Sequence, residues 1–415
     1  MSYWWENNFL KAKGGKLYLS QRQATRLAAE HGTPLLVYSR AQILSNFKAL
    51  LRAFASKASL EIRIYYAMKA NPHQGILKIV KNAGGGIDAA SPGEIKRALR
   101  AGFSREKIFF TGTSLSLEDI KQAFAQQGII VNIDAEEQLE LMREAREKWF
   151  KKKKIKVSLR WNPGIGRGFS SKVVTAGEKS FDGTPIKFGI EGSRVIATLA
   201  KAADYGFTPA GLHQHLGSGW TREDLEQVKV AVDKMVEKAT EAQKQGFSLE
   251  FLDFGGGFGP RYSPEHEVFP LDDYAEYISR KIERSALKIR AIAVEPGKYL
   301  VGDAGVLLVK VEYLKESYGN LFACVNAGTF NAVPRLSIYA EAYHHIVNCS
   351  KLDVDETARV TIAGNLCETG DVFGKEMEMP VPERGDILAV LGAGAYCRSM
   401  ASNFNLREIP KEIIL

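Results

Sequence analysis

Between residues 62 and 300, short apolar stretches alternate with helical segments eight times: IRIYYA, GGIDAA, KIFFTG, IIVNID, KVSLRW, AGLHQHLG, LEFLDFGG and AIAVEPG. Apolar runs of this length, with little polar alternation, read as strands buried on both faces, the mark of a parallel sheet. Parallel neighbours need crossover helices, and eight strand–helix units in succession predict an α/β fold with a (β/α)8, TIM-like barrel. Helix starts fall in the gaps. Ser91-Pro92-Gly93-Glu94 has the form of a capping box with proline at the first helical position. Asp134 with Glu137, and Thr221 with Asp224, offer similar starts. The fifth unit carries a long loop, GIGRGFSSKVVTAGEKSFDGTP.

After residue 303 the pattern changes. GVLLVKVEYL, LFACVNAG, SIYAEAYHHIVNC, ARVTIAG and DILAVLGAG are strand-like with few helical periods between them, which predicts a C-terminal β-rich domain, a barrel or a sandwich. The expected division is 1–35 as a segment packing with that β domain, 36–302 as the barrel and 303–415 as the β domain.

The formal charge of +8 is concentrated in KWFKKKKIK (148–156), at the end of an amphipathic helix. One such run reads as a solvated helix end; a nucleic-acid surface needs more patches with interleaved aromatics. The four cysteines, Cys324, Cys349, Cys367 and Cys397, have no metal-type spacing. Neither a disulfide framework nor a metal site is expected, and a reducing compartment fits. MSYWWENNFLKAKGG is not a secretory signal, and no apolar run reaches membrane-spanning length. The expectation is a cytoplasmic protein without nucleic-acid or membrane partners.

Active-site groups of such barrels lie at the C-terminal strand ends. There stand Lys69, Asp88, His213 and His215, then Gly217-Ser218-Gly219, Gly255-Gly256-Gly257 and Glu295-Pro296-Gly297-Lys298. Lys69, after the apolar run IYYAM, either turns out to water or acts as an amine nucleophile. The triple glycine is either a turn or a set of N–H groups open to an anion. Taken together on one rim, an amine and a phosphate cradle point to pyridoxal 5′-phosphate, whose aldehyde a lysine binds as a Schiff base. Glu295 would then hold the pyridine nitrogen, and the flat imidazole of His215 would stack on the ring.

With these residues, the chain resembles the fold type III, alanine racemase-like pyridoxal-phosphate decarboxylases. YAMKAN (66–71), DAASPGE (88–94), HQHLGSG (213–219), LDFGGGFG (252–259), VEPGK (294–298), RLSIY (335–339), GNLCETGDVFG (364–374) and GAYCRSMASNFN (394–405) carry the resemblance over nearly the whole length. It is most similar to the branch that decarboxylates meso-diaminopimelate to L-lysine. The resemblance implies Lys69 and Cys367 as catalytic residues, Cys367 protonating the carbon that CO2 leaves. It implies cofactor binding by Lys69, Asp88, His215, Ser218, Gly255, Gly256, Gly257, Glu295, Gly297 and Tyr396. For the substrate it implies Lys298, Arg335 and Tyr339 on the far carboxylate, Glu368 on the far ammonium, and Tyr396. It also implies a homodimer with shared active sites. Two positions depart from the family pattern: Lys298 where arginine is usual, and Leu336 where proline follows the arginine. Decarboxylation of carboxynorspermidine, ornithine or arginine, and racemisation on the same scaffold, stay open as alternatives.

Overall fold

The computed structural model describes residues 3–55 and 60–415. They form two compact units: residues 47–259 with 268–297, and residues up to 46 with 260–267 and 298–415.

The first unit is a closed barrel of eight parallel strands: β1 (Glu61–Ala67), β2 (Gly86–Ala89), β3 (Ile108–Phe110), β4 (Ile130–Ile133), β5 (Lys156–Asn162), β6 (Thr208–His213), β7 (Phe251–Asp253) and β8 (Ala291–Val294). Each pairs with the next, and β8 pairs with β1 to close the ring. The two-residue strand Ile190–Glu191 lies against β5 outside the ring. Inside, Tyr65 stacks on Phe109 at 5.5 Å and Phe251 meets Phe109 edge-on at 6.0 Å, among Ile130, Ala210, Ala291 and Ala293. Two glycines make room for this plug. A Cβ on Gly86 would stand 2.7 Å from the Tyr65 ring, and one on Gly211 2.6 Å from that of Phe251.

Local chemistry sets the helices. Ser91 caps Pro92–Arg100 by accepting from the Glu94 N–H, while the Glu94 carboxylate reaches one residue further back than a capping box requires, to the Ala90 N–H. Thr221 and Asp224 form the full box. Asp134 does not start a helix. The next one is Gln138–Trp149, and Asp134 instead accepts from the Thr113 hydroxyl and the Gly189 N–H, because burial brings it those donors. The long loop after β5 is tied down by Arg167 N–H to Leu216 and Phe169 N–H to Ser218.

The second unit is built on an eight-stranded mixed sheet. Its longest strand, Gly305–Ser317, pairs with Asn320–Val325, Ile387–Leu391 and Leu35–Tyr38. Leu35–Tyr38, buried at all four positions, also pairs with the last strand, Lys411–Ile414. The core gathers Trp5, Phe9, Leu10, Leu17, Leu19 and Leu27 with Leu35, Val306, Leu308 and Leu391. Residues 36–46 and 298–302 pack with the sheet unit. SIYAEAYHHIVNC is not one strand. Pro334 opens a short helix, Arg335–Ile338, and only Ile346–Asn348 is extended. Among the described residues no helix is long and apolar enough to cross a membrane.

Candidate active site

The barrel rim brings Lys69, Asp88, His213, His215, Ser218, Gly255, Gly256, Gly257, Glu295 and Gly297 into one unit. Lys69 sits in a single 3-10 turn after β1, with its ammonium 3.3 Å from Asp88. Its side chain is 42% exposed, so packing alone does not fix the amine. The amine is held instead by an ion pair, and the Thr111 hydroxyl donates to the other Asp88 oxygen. Glu295 ends β8. Its Oε2 accepts from His213 Nε2 at 3.1 Å, and the Asn132 amide nitrogen lies 3.0 Å from His213 Nδ1. Asp253, His213 and Glu295 bring their polar atoms within 4.8 Å of one another.

The carboxylates of Glu295, Asp253 and Asp88 act on one another and do not share charge equally. Burial opposes the ionisation of Glu295, but the charge and hydrogen bond of His213, then the charge of Lys69, outweigh it and hold this carboxyl down to about 2. Burial and the charge of Glu295 push Asp88 up, and push Asp253 well up. Glu295 is thus the firm anion of the cluster. Burial, then Lys69, drives His215 well below its ordinary value and keeps it neutral.

The glycines have structural duties as well. Cβ atoms on Gly256 and Gly257 would fall 2.3 Å from the Glu295 carbonyl oxygen and 2.2 Å from the Trp220 ring. One on Gly217, at φ 140°, would meet the Arg167 carbonyl at 1.9 Å. The Gly255 N–H is taken by Asp253. Those of Gly256 and Gly257 make no hydrogen bond among the described residues.

The sheet unit holds the other group: Lys298, Arg335, Tyr339, Tyr396, Cys367 and Glu368. Lys298 and Arg335 are 5% and 3% exposed, two cations taken out of water together. Both lie over the Tyr262 ring, at 6.0 and 4.9 Å, and Lys298 is 5.9 Å from the Tyr396 ring. Burial, then Arg335, pushes the Lys298 ammonium well below its usual value. Tyr396 has φ 57°, a region a bulky side chain rarely enters. Cys367 and Glu368 are exposed, in a loop ordered by buried Asp371, which accepts from the Thr329 N–H and hydroxyl and from the Leu366 N–H. The Cys367 N–H donates to Asn405 at 2.8 Å.

Thr111, Asn132, Asp253, Tyr262, His344 and Asp371 belong to these clusters and were missed in the sequence. Thr111 and Asp253 do stand at or next to a strand end, a signal that could have found them.

A parallel barrel with a lysine, a firm carboxylate and open glycine N–H groups on one rim defines an enzyme that binds an anionic aldehyde cofactor. Residues 40–302 match the family model described as pyridoxal-dependent decarboxylase, pyridoxal binding domain. The diaminopimelate decarboxylase of Methanothermobacter thermautotrophicus is 36% identical, over 97% of this chain and 91% of its own. The crystal structure of diaminopimelate decarboxylase from Helicobacter pylori complexed with L-lysine is 31% identical, with a TM-score of 0.85 over 94% of this chain and 93% of that one. The diaminopimelate decarboxylase structure from M. jannaschii is 30% identical, with a TM-score of 0.89 over 98% and 93%. The chain belongs to the pyridoxal-dependent decarboxylase family, and its cofactor is pyridoxal 5′-phosphate.

The residues present fit that cofactor. Glu295 Oε1 and His215 Nδ1 are buried without a hydrogen-bond partner, and the N–H groups of Gly256 and Gly257 are open. The Glu295 oxygen matches a pyridine N–H, and the glycine N–H groups match a phosphate.

Proposed function

We propose that the chain decarboxylates meso-2,6-diaminopimelate at its D-configured centre, leaving L-lysine and CO2. The observation that carries this reading is the buried pair Lys298 and Arg335. Two buried cations side by side repel each other, and an incoming carboxylate relieves that cost. Ornithine and arginine have no second carboxylate to offer them. The L-lysine in the Helicobacter pylori complex is the product this reading requires.

Pyridoxal phosphate, when bound, supplies the electron sink for the bond that CO2 leaves. Lys69 Nζ would hold the cofactor through its aldehyde, and Asp88 at 3.3 Å pairs with the ammonium. Glu295, kept ionised, holds the proton on the ring nitrogen. Neutral His215 lends a flat face, and Ser218, Gly255, Gly256, Gly257 and Gly297 line the phosphate side. Lys298, Arg335 and Tyr339 orient the far carboxylate, Glu368 the far ammonium, and Tyr396 touches cofactor and substrate. Cys367 Sγ gives its proton to the carbon CO2 has left. Its exposure suits service to the partner's site in a homodimer. Free thiols throughout suit the cytoplasm, and the N-terminal segment is assigned to the β domain.

The test is CO2 release and product identity on meso-diaminopimelate, ornithine, arginine, lysine and carboxynorspermidine. Preference for the first, yielding L-lysine, is expected. Lys69→Ala should end turnover and covalent cofactor retention, whereas Cys367→Ala should keep the cofactor and slow product formation. Turnover of another substrate would overturn the substrate assignment, and inversion without CO2 would make the chain a racemase. A monomer at assay concentrations would remove the shared site.

A further inference from the structure

His344 is buried in the sheet unit with no role so far. It is 1% exposed, next to Arg335 at 3%. Its Nδ1 is 2.8 Å from the Leu391 carbonyl, at the end of the strand Ile387–Leu391, and its Nε2 is 3.2 Å from Arg335 Nη1. A carbonyl only accepts, so Nδ1 carries the hydrogen. A guanidinium only donates, so Nε2 offers its lone pair. The two contacts together admit one state of the ring, the neutral Nδ1–H tautomer. The ring edge also meets Tyr262, at 5.8 Å and 75°, and Tyr262 carries Arg335 on its face.

We propose that His344 is a positioning residue for substrate recognition: it transmits the rigidity of the Ile387–Leu391 strand to the Arg335 guanidinium and sets the orientation in which that group meets a carboxylate. This rests on the reading that Arg335 takes the far carboxylate. Five donors on a flexible stem can meet an anion in many ways. One donor spent on a fixed acceptor, with the plane set by the Tyr262 face, leaves few. A protonated imidazole cannot do this, because its Nε2–H would face the guanidinium. Burial, then Arg335, accordingly keeps His344 neutral down to about 3.

The experiment uses the full-length, cofactor-loaded protein and two variants. His344→Gln can donate to Leu391 and accept from Arg335. His344→Leu keeps the bulk and does neither. Pimelate, a dicarboxylate without amines, is the equilibrium probe. Its affinity should fall about tenfold in His344→Leu and stay within about twofold of wild type in His344→Gln, with KM for meso-diaminopimelate in the same order and kcat little changed. Equal pimelate binding by all three, a glutamine variant as weak as leucine, or no pimelate binding by the wild type would each overturn the proposal. If the leucine variant does not fold, 15N NMR of the wild-type imidazoles decides. A resonance pair of the Nδ1–H tautomer that does not titrate between about pH 5 and 8 is required, and its absence overturns the proposal. Variants that follow the expected pimelate order while the wild type releases no CO2 from meso-diaminopimelate would uphold the positioning role and sink the substrate assignment.

Discussion

His344 is neutral in the fold down to about 3 but takes a proton near 6.5 once the chain unfolds. Its folded value lies below its unfolded one, so the unfolded state binds the extra proton first as the pH drops. The stability tied to a neutral His344 is whole above about 6.5 and is lost as the pH falls toward about 3; at pH 5 the loss is about 2 kcal/mol. Denaturant melts at pH 7 and pH 5 should show wild type losing more than His344→Gln by about that amount, and parallel losses would refute the assignment. This residue was not legible in the sequence. Lys69, Asp88, His215 and Glu295 were, because strand ends on one rim predict their meeting. His344 owes its role to Leu391 and Arg335, and Asp371 owes its role to Thr329, partners that only the folded sheet supplies. Lys69 shows the reverse: its place was legible, but its exposure and its Asp88 partner depend on the rim being assembled.

At the scale of elements, the eight strands were readable because each is a short apolar run between helix signals. The sheet unit was less so. Leu35–Tyr38 is as apolar as a barrel strand, and only pairing with Gly305–Leu308 and Lys411–Ile414 assigns it elsewhere. The glycine run after β7 carries a sharper lesson. Gly256 looks free to vary within a turn, yet a methyl group there meets the main chain of Glu295, which cannot rotate away. Gly256→Ala should cost about 1–3 kcal/mol and displace the carboxylate it crowds. Denaturation, with the visible absorbance of the bound cofactor followed in parallel, checks both. A variant unchanged in stability and cofactor retention would show that the β7 and β8 ends separate easily.

For the molecule as a whole, the order of the chain and the order of the fold disagree. The sheet unit takes residues from both ends and from a short middle segment, 260–267, whereas the barrel unit is confined to 47–297. The final residues close the sheet: Lys411–Ile414 covers one edge of Leu35–Tyr38, and Leu415 exchanges hydrogen bonds with Tyr38 and Arg40. Deleting residues 411–415 should bare that edge, lower the thermal midpoint of the sheet unit by about 5–10 °C and invite edge-to-edge association. A truncated protein that melts like the full chain would show that the edge needs no cover. The same strand also sets a timetable. A ribosome makes Lys411–Ile414 after every strand of the barrel, so the barrel can close around its aromatic plug before that edge is covered. The sheet that carries Lys298, Arg335 and His344 waits for a strand made more than a hundred residues after the last barrel strand. Every newly made molecule can therefore complete its barrel before its sheet.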